Sequence, residues 1–289
     1  MFQKIAFLEF FSFKLQKKTL IRVMEVIEVL RQVSKQVYDN VKDLAGTEDA
    51  AGDFGRGAGG DISRNIDIVA EKTVLDYLKQ INFNCVVLGE ECGRVEINDN
   101  TKGYVIMDAI DGTANAVSGI PFFCCSLAFA TGDKLSSITD AVVTNLSNGE
   151  QYWASKGKGA FLNETKIHVQ NKETAYKIVG VNTSGASPEL LKKLQTIFEH
   201  YGPTRHFGAN ALEMAYLSKG SIDVFIDLRD KIRVQDMAAG YLLIKEAGGL
   251  IVDADSQPLD LDFGTMTRLS FVGAANQAIL DQIMSEINK

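Results

Sequence analysis

The stretch Ile106-Met107-Asp108-Ala109-Ile110-Asp111-Gly112-Thr113-Ala114-Asn115 decides how this chain is read. The apolar run Tyr104–Met107 reads as a buried strand, and two aspartates three residues apart follow it directly, then Gly-Thr. A carboxylate left unpaired at the buried end of a strand costs on the order of several kcal/mol. The nearest basic residue in sequence, Lys102, lies beyond the other end of that strand. A divalent cation is the natural partner, and an all-oxygen donor set suits magnesium or manganese rather than zinc. A plainer reading also fits these residues: an aspartate capping a helix beside a surface turn. Asp111-Gly112-Thr113 presents successive backbone N–H groups where a helix could start, which suits a phosphate.

Working outward, Gly89-Glu90-Glu91 lies upstream of this stretch and Val234-Gln235-Asp236-Met237-Ala238-Ala239-Gly240 far downstream. Asp236 opens a helix whose small residues permit close packing. Alone it is most simply an N-cap; joined to the first cluster it becomes a candidate fourth metal ligand.

The rest of the chain narrows the class. With 30 Lys+Arg against 37 Asp+Glu, the net charge of −7 argues against nucleic acid or anionic lipid as a partner. Apolar residues at 46% and charged residues at 23% are the balance of a soluble globular protein. Cys85, Cys92, Cys124 and Cys125 show no C-x-x-C spacing and read as buried free thiols in a reducing cytoplasm. His168, His200 and His206 form no H-E-x-x-H, so a zinc protease is excluded. Gly55, Gly57 and Gly60 match G-x-G-x-x-G, but no strand leads into them. Asp253, Asp255, Asp260 and Asp262 lack the central Gly and terminal Glu of a calcium loop.

Periodicity predicts a helix from Met24 to near Gly46, a Gly- and Asp-rich loop over 47–61, and a second helix over Ile66–Leu78. Strands are expected at Cys85–Leu88, Tyr104–Met107, Phe122–Ala130, Ser137–Thr144, Ile178–Val181, Ile222–Ile226, Leu250–Val252 and Leu269–Val272. Helices are expected near 188–200, 209–218, 234–247 and 275–287. This alternation gives one compact α/β unit, with two lobes meeting near residue 175. Residues 1–23, rich in Phe and then Lys, read as an N-terminal extension, or as sequence upstream of a true start at Met24. They are too short to span a bilayer. The polar loop just before Asp67 suits a flap that closes over the site.

Gly89-Glu90-Glu91, Asp108-x-Ile110-Asp111-Gly112-Thr113-x-Asn115 and Asp236-x-Ala238-Ala239-Gly240 together resemble the signatures of the inositol monophosphatase superfamily. The resemblance covers about Met24 to the C-terminus. It takes in Ile66-Asp67 with Glu71, Gly157-Lys158-Gly159-Ala160 and Glu246-Ala247-Gly248-Gly249. The stretch from Asp227-Leu228-Arg229 to Arg233 is most similar to the archaeal type, which acts on inositol-1-phosphate and fructose-1,6-bisphosphate. Departures are Ala109 where Pro is usual, Gln235 where Trp is common, and Ser63 and Arg64 where Thr and Lys often stand.

The resemblance implies an α/β (α+β) fold of layered αβαβα sugar-phosphatase type. It implies magnesium-dependent hydrolysis of small polyol and sugar phosphates by a cytoplasmic, lithium-sensitive homodimer. Glu90, Asp108 and the Ile110 carbonyl would hold one Mg2+, and Asp108, Asp111 and Asp236 a second. A third ion and Mn2+ substitution are also in the family's repertoire. Asp67 would orient Thr113 and, with Glu90, position and deprotonate the attacking water. Gly112 and Thr113 N–H groups would hold phosphoryl oxygens beside Asp111, while Arg205, Asn210 and Arg229 match positions contacting the sugar or a second phosphate. The alternatives are a 3′-phosphoadenosine 5′-phosphate phosphatase and a non-catalytic partner protein that binds metal or phosphate.

Overall fold

The apolar stripe Val29, Leu30, Val33, Val37 and Val41, at spacings of three and four, turns one face of helix α1 (Val26–Val41) inward. Turns rather than helix carry the chain from there to Gly46. The computed structural model describes residues 24–288 except 53–54, 59, 61–62, 100, 171–177 and 265–267. The N-terminal extension and the lobe junction near 175 therefore lie outside the described residues.

Helix α2 (Asn65–Gln80) packs beside α1 on one face of an eight-stranded mixed sheet. Its strands are β1 (Cys85–Gly89), β2 (Arg94–Ile97), β3 (Tyr104–Asp111), β4 (Cys124–Ala130), β5 (Ile138–Asn145), β6 (Gln151–Ser155), β7 (Gly159–Leu162) and β8 (Thr165–Ile167). They lie in the order β2-β1-β3-β4-β5-β6-β7-β8, with β1 and β3 parallel and the other pairs antiparallel. The short helix α3 (Thr113–Ser118) follows β3.

A five-stranded sheet forms the second β layer. Its strands are β9 (Val179–Val181), β10 (Thr204–Arg205), β11 (Val224–Ile232), β12 (Leu250–Val252) and β13 (Leu269–Ala274), in the order β10-β9-β11-β13-β12. Helices α5 (Asn210–Ser218) and α6 (Val234–Glu246) are sandwiched between the sheets. Helices α4 (Pro188–His200) and α7 (Gln277–Ile287) pack together, with α7 against β13. The layers run α/β/α/β/α, as the resemblance implied.

This layering explains local sequence. Every residue of β4 (CCSLAFA) is buried, because helices cover that sheet on both faces, so the strand is a continuous apolar run. Ala238, Ala239 and Gly240 let α6 sit close to α5; a Cβ at Gly240 would stand 2.6 Å from the Met214 side chain. The strands β2, β6, β7 and β8 were not expected from the sequence. β2 and β8 are short edge strands whose exposed polar residues hide the periodicity. Among the described residues, no helix is long and apolar enough to cross a membrane.

Candidate metal centre and phosphate cavity

The decisive strand does not end at Met107 but continues to Asp111. Asp108 pairs opposite Ser126 and Asp111 opposite Cys124, so three steps along β3 match two along β4. In a regular strand, residues three apart point to opposite faces. The one-residue bulge cancels that inversion and brings both carboxylates to one side. Asp108 Oδ1 accepts the Ile110 N–H at 3.2 Å. Asp111 Oδ2 accepts the Ala211 N–H at 2.6 Å and the Cys124 thiol at 3.7 Å, tying the strand to the start of α5.

Gly112 then turns the chain into α3 with φ +91°, a left-handed conformation that a side chain disfavours. A Cβ there would also press on the Ala209 Cβ at 3.0 Å and the Phe122 carbonyl at 3.2 Å. Asn115, one turn on, donates to the Phe122 and Phe207 carbonyls at 2.7 Å each and locks this corner against the loop before α5.

Helix α2 supplies two buried carboxylates from successive turns. Asp67 accepts the Arg64 N–H at 2.8 Å, capping the helix, while its other oxygen accepts the Thr113 hydroxyl at 3.0 Å. The Ile110 carbonyl is a second acceptor for that hydroxyl at 3.1 Å. Glu71 accepts the Glu91 and Cys92 N–H groups at 2.9 and 2.8 Å and so props the turn that carries Glu90. Gly89 is needed at that turn: a Cβ would lie 2.5 Å from Cys92 Sγ and 2.7 Å from Glu71 Oε1. The Gly-rich segment rests on the same turn, with the Ala58 N–H on the Glu91 carbonyl at 3.1 Å and the Ser63 hydroxyl on the Glu91 carboxylate.

Asp236 sits in the first turn of α6 and accepts the Arg233 N–H at 2.8 Å, so it does serve as a capping group. It also completes a cluster. One carboxylate oxygen each of Glu90, Asp108 and Asp236 lie within 4.8 Å of one another. Asp111 stands beside them, on the wall of the cavity that opens there. Burial pushes the Glu90 carboxyl up to about 8, with Asp236 and Glu91 adding to it and Arg233 opposing. Burial raises Asp108 well above the carboxylate range, and Glu90, Asp111 and Asp236 raise it further. Asp111 rises to about 7 for the same reasons, burial first and then Asp236. Burial lifts Asp67 to about 6 against its two hydrogen bonds. Converging carboxylates that resist ionisation are the donor chemistry a hard divalent cation satisfies, so the residues present fit a magnesium-type ion.

The cavity measures about 510 Å³ and is lined by Asp111 and Asp236 together with the basic side chains Arg229, Lys231, Arg233 and Arg268. Asn182, Ser184, His206 and Asn210 line its remaining sides. Asn210 accepts from Asn182 at 2.8 Å. Arg229 reaches the cavity but is committed. Its Nε and Nη2 donate to the two oxygens of the fully buried Asp227 at 2.8 and 2.5 Å, and its Nη1 to the Ser184 carbonyl at 2.9 Å. Arg205 stands apart, exposed, donating to the Thr204 carbonyl at 2.8 Å, and its neighbour His206 is the one that lines the cavity. Sequence reasoning did not single out Lys231, Arg233 or Arg268 as site residues. Arg233 left one signal, a cation three residues before the Asp236 cap.

The chain matches the model of the inositol monophosphatase family over residues 22–289. It is 32% identical over 266 residues to a fructose-1,6-bisphosphatase/inositol-1-monophosphatase from Methanothermobacter thermautotrophicus, covering 89% of this chain and 94% of that one. A bifunctional NADP phosphatase/NAD kinase from Methanococcus maripaludis is 31% identical, over 86% of this chain and 47% of its own. The solved structure of an inositol monophosphatase-fructose 1,6 bisphosphatase superposes with a TM-score of 0.80 at 30% identity, covering 91% of this chain and all of the other. The chain belongs to the inositol monophosphatase family. It is a phosphatase, built on a fold whose acidic cluster can take a metal ion.

Proposed function

We propose that the protein hydrolyses phosphate monoesters of small polyols and sugars, inositol-1-phosphate and fructose-1,6-bisphosphate, with magnesium. The observation that carries this reading is the meeting of Glu90, Asp108 and Asp236 beside a cavity that Asp111 and Asp236 line together with four basic side chains. Glu90, Asp108, Asp111, Asp236 and the Ile110 carbonyl would hold the ions. When bound, magnesium supplies a lowered pKa for the attacking water and positive charge against the phosphate oxygens.

The protein's own groups do the rest. Asp67, with its carboxyl near 6, is largely ionised at neutral pH and holds the Thr113 hydroxyl as an acceptor. A proton leaving the attacking water can pass to Thr113 Oγ1 as that hydroxyl gives its own to Asp67 Oδ1. The N–H groups of Gly112 and Thr113, at the turn out of β3, would bind phosphoryl oxygens. Asn210 offers a neutral side chain for sugar hydroxyls, and Lys231 a cation for a second phosphate. The cavity volume of about 510 Å³ and the bifunctional NADP phosphatase/NAD kinase among its relatives favour a second reading, a nucleotide 2′- or 3′-phosphate as substrate.

The test is phosphate release from inositol-1-phosphate, fructose-1,6-bisphosphate, NADP and 3′-phosphoadenosine 5′-phosphate, each with and without magnesium. Magnesium-dependent release from the first two, exceeding that from the nucleotides, is the expected outcome. Preference for either nucleotide would replace the sugar reading with the second one.

A further inference from the structure

Arg233 occupies an unusual position. Its backbone N–H donates to Asp236 Oδ2 at 2.8 Å, and the guanidinium returns to the same carboxylate, Nη2 to Oδ1 at 2.9 Å and Nε to Oδ1 at 3.1 Å. Its Nη1 meets Glu90 Oε1 from the other side. The side chain is 16% exposed, against 14% for Glu90 and 8% for Asp236. One cation therefore spans two members of the three-carboxylate cluster, arriving from the N-terminal end of α6. The two carboxylates have few other cations to turn to. Arg229 is spent on Asp227, and Lys231 Nζ donates to the Gly185 carbonyl at 3.0 Å.

The oxygen atoms that Arg233 engages are among those through which Glu90 and Asp236 would ligate an ion. A guanidinium is large and carries a single charge, and its donors need the same lone pairs that a metal bond needs. At Asp236, Oδ1 already accepts from Nε and Nη2 while Oδ2 accepts the backbone N–H and Nε, so an ion can bond there only as some of these donors withdraw, and the guanidinium charge opposes the ion at Glu90 Oε1. Binding the metal therefore costs the disruption of a nearly buried, charge-assisted network.

We propose that Arg233 is a built-in competitor of the metal, a positioning residue that shares Glu90 and Asp236 with the ion and thereby sets its affinity. This rests on the acidic cluster being a metal site, as proposed above. Two consequences follow. Arg233 steadies the cluster when divalent metal is scarce, because it is the cation shared between Glu90 and Asp236 amid mutually repelling carboxylates. It also holds metal affinity below what the ligand set alone would give.

The test is calorimetric titration of Mg2+, and of Mn2+ as a second probe, into metal-stripped full-length protein, wild type against Arg233→Met and Arg233→Lys. Melting temperatures of the metal-stripped proteins are read in parallel. Arg233→Met should bind the ions about tenfold more tightly or better, the factor expected when one charge-assisted contact no longer has to be broken. Its metal-stripped form should melt lower than wild type and recover when magnesium saturates. Arg233→Lys keeps the charge but loses the fork, so its affinity should fall between the two, and it keeps the comparison open if the Met variant does not fold. Equal or weaker binding in the folded variants would overturn the competitor role while leaving the phosphatase reading intact. No binding in any of the three proteins would overturn both.

Discussion

Two aspartate–arginine pairs face the same cavity and have different surroundings. Asp227 and Arg229 form a closed pair: both carboxylate oxygens meet one guanidinium, and Asp227 is completely buried. Asp236 and Arg233 form an open one, because that guanidinium also serves Glu90 and stands near Asp108. The first pair balances its charges and leaves little for a ligand to gain. The second leaves more carboxylates than cations, and that excess is what a divalent ion can use. An ion pair beside a site is thus structural or functional according to the charge left over around it.

The largest expected effect lies in the open region. Asp108→Asn should lower phosphate release by more than the roughly 10–100-fold typical of residues behind a metal ligand. The metal-stripped variant should melt close to wild type, since burial and the neighbouring carboxyls already push Asp108 toward its neutral, protonated form. Near-normal turnover at saturating magnesium would erase the contrast between the two pairs.

Arg229→Ala probes the closed pair. It strands a buried carboxylate, so urea denaturation should show a loss of about 3–5 kcal/mol, with Asp227→Asn in the same chain recovering much of it. A stable variant altered only in its Michaelis constant would place Arg229 with the substrate, the role the family resemblance implied.

The pH dependence separates the regions by sign. Glu90 and Asp111 keep protons in the folded protein up to about 8 and about 7. In the unfolded chain such groups lose them near pH ~4. The native state therefore binds more protons across that window, and the unfolding free energy of metal-stripped protein should fall as pH rises from ~4 to ~8. Saturating magnesium should flatten the decline, because ligation requires these groups deprotonated. Chemical denaturation at a series of pH values, with and without the ion, reads both slopes.

Smaller effects belong to the exposed cations. Lys231→Ala should raise the Michaelis constant for a bisphosphate about tenfold and leave that for a monophosphate unchanged. Arg205→Ala should do neither and should alter stability by less than about 0.5 kcal/mol.

The sequence made some of this visible and hid the rest for identifiable reasons. Asp108, Asp111 and Gly112 stood out because carboxylates and a glycine at the end of an apolar run have few structural uses. Asp236 reads alone as a cap, and it is one; the family signatures join it to the acidic cluster, and the fold sets it against Glu90 and Asp108 across the layers. The bulge is not legible, since a spacing of three contradicts the period of a strand, and the apolar run that marks the strand stops at Met107. Arg233 was overlooked because a cation before a helix usually lies in water. Its burial depends on β11 continuing to Ile232, beyond the apolar segment that pattern alone marks as strand. The layered αβαβα order followed from the family signatures; periodicity by itself gave only alternating helices and strands.

The most direct test of the account is anomalous diffraction from crystals of the protein saturated with Mn2+. The account predicts a manganese peak bonded to carboxylate oxygens of Glu90, Asp108 and Asp236, with Arg233 no longer spanning Glu90 and Asp236. Manganese bound elsewhere, or no ion at this cluster at saturation, would contradict it.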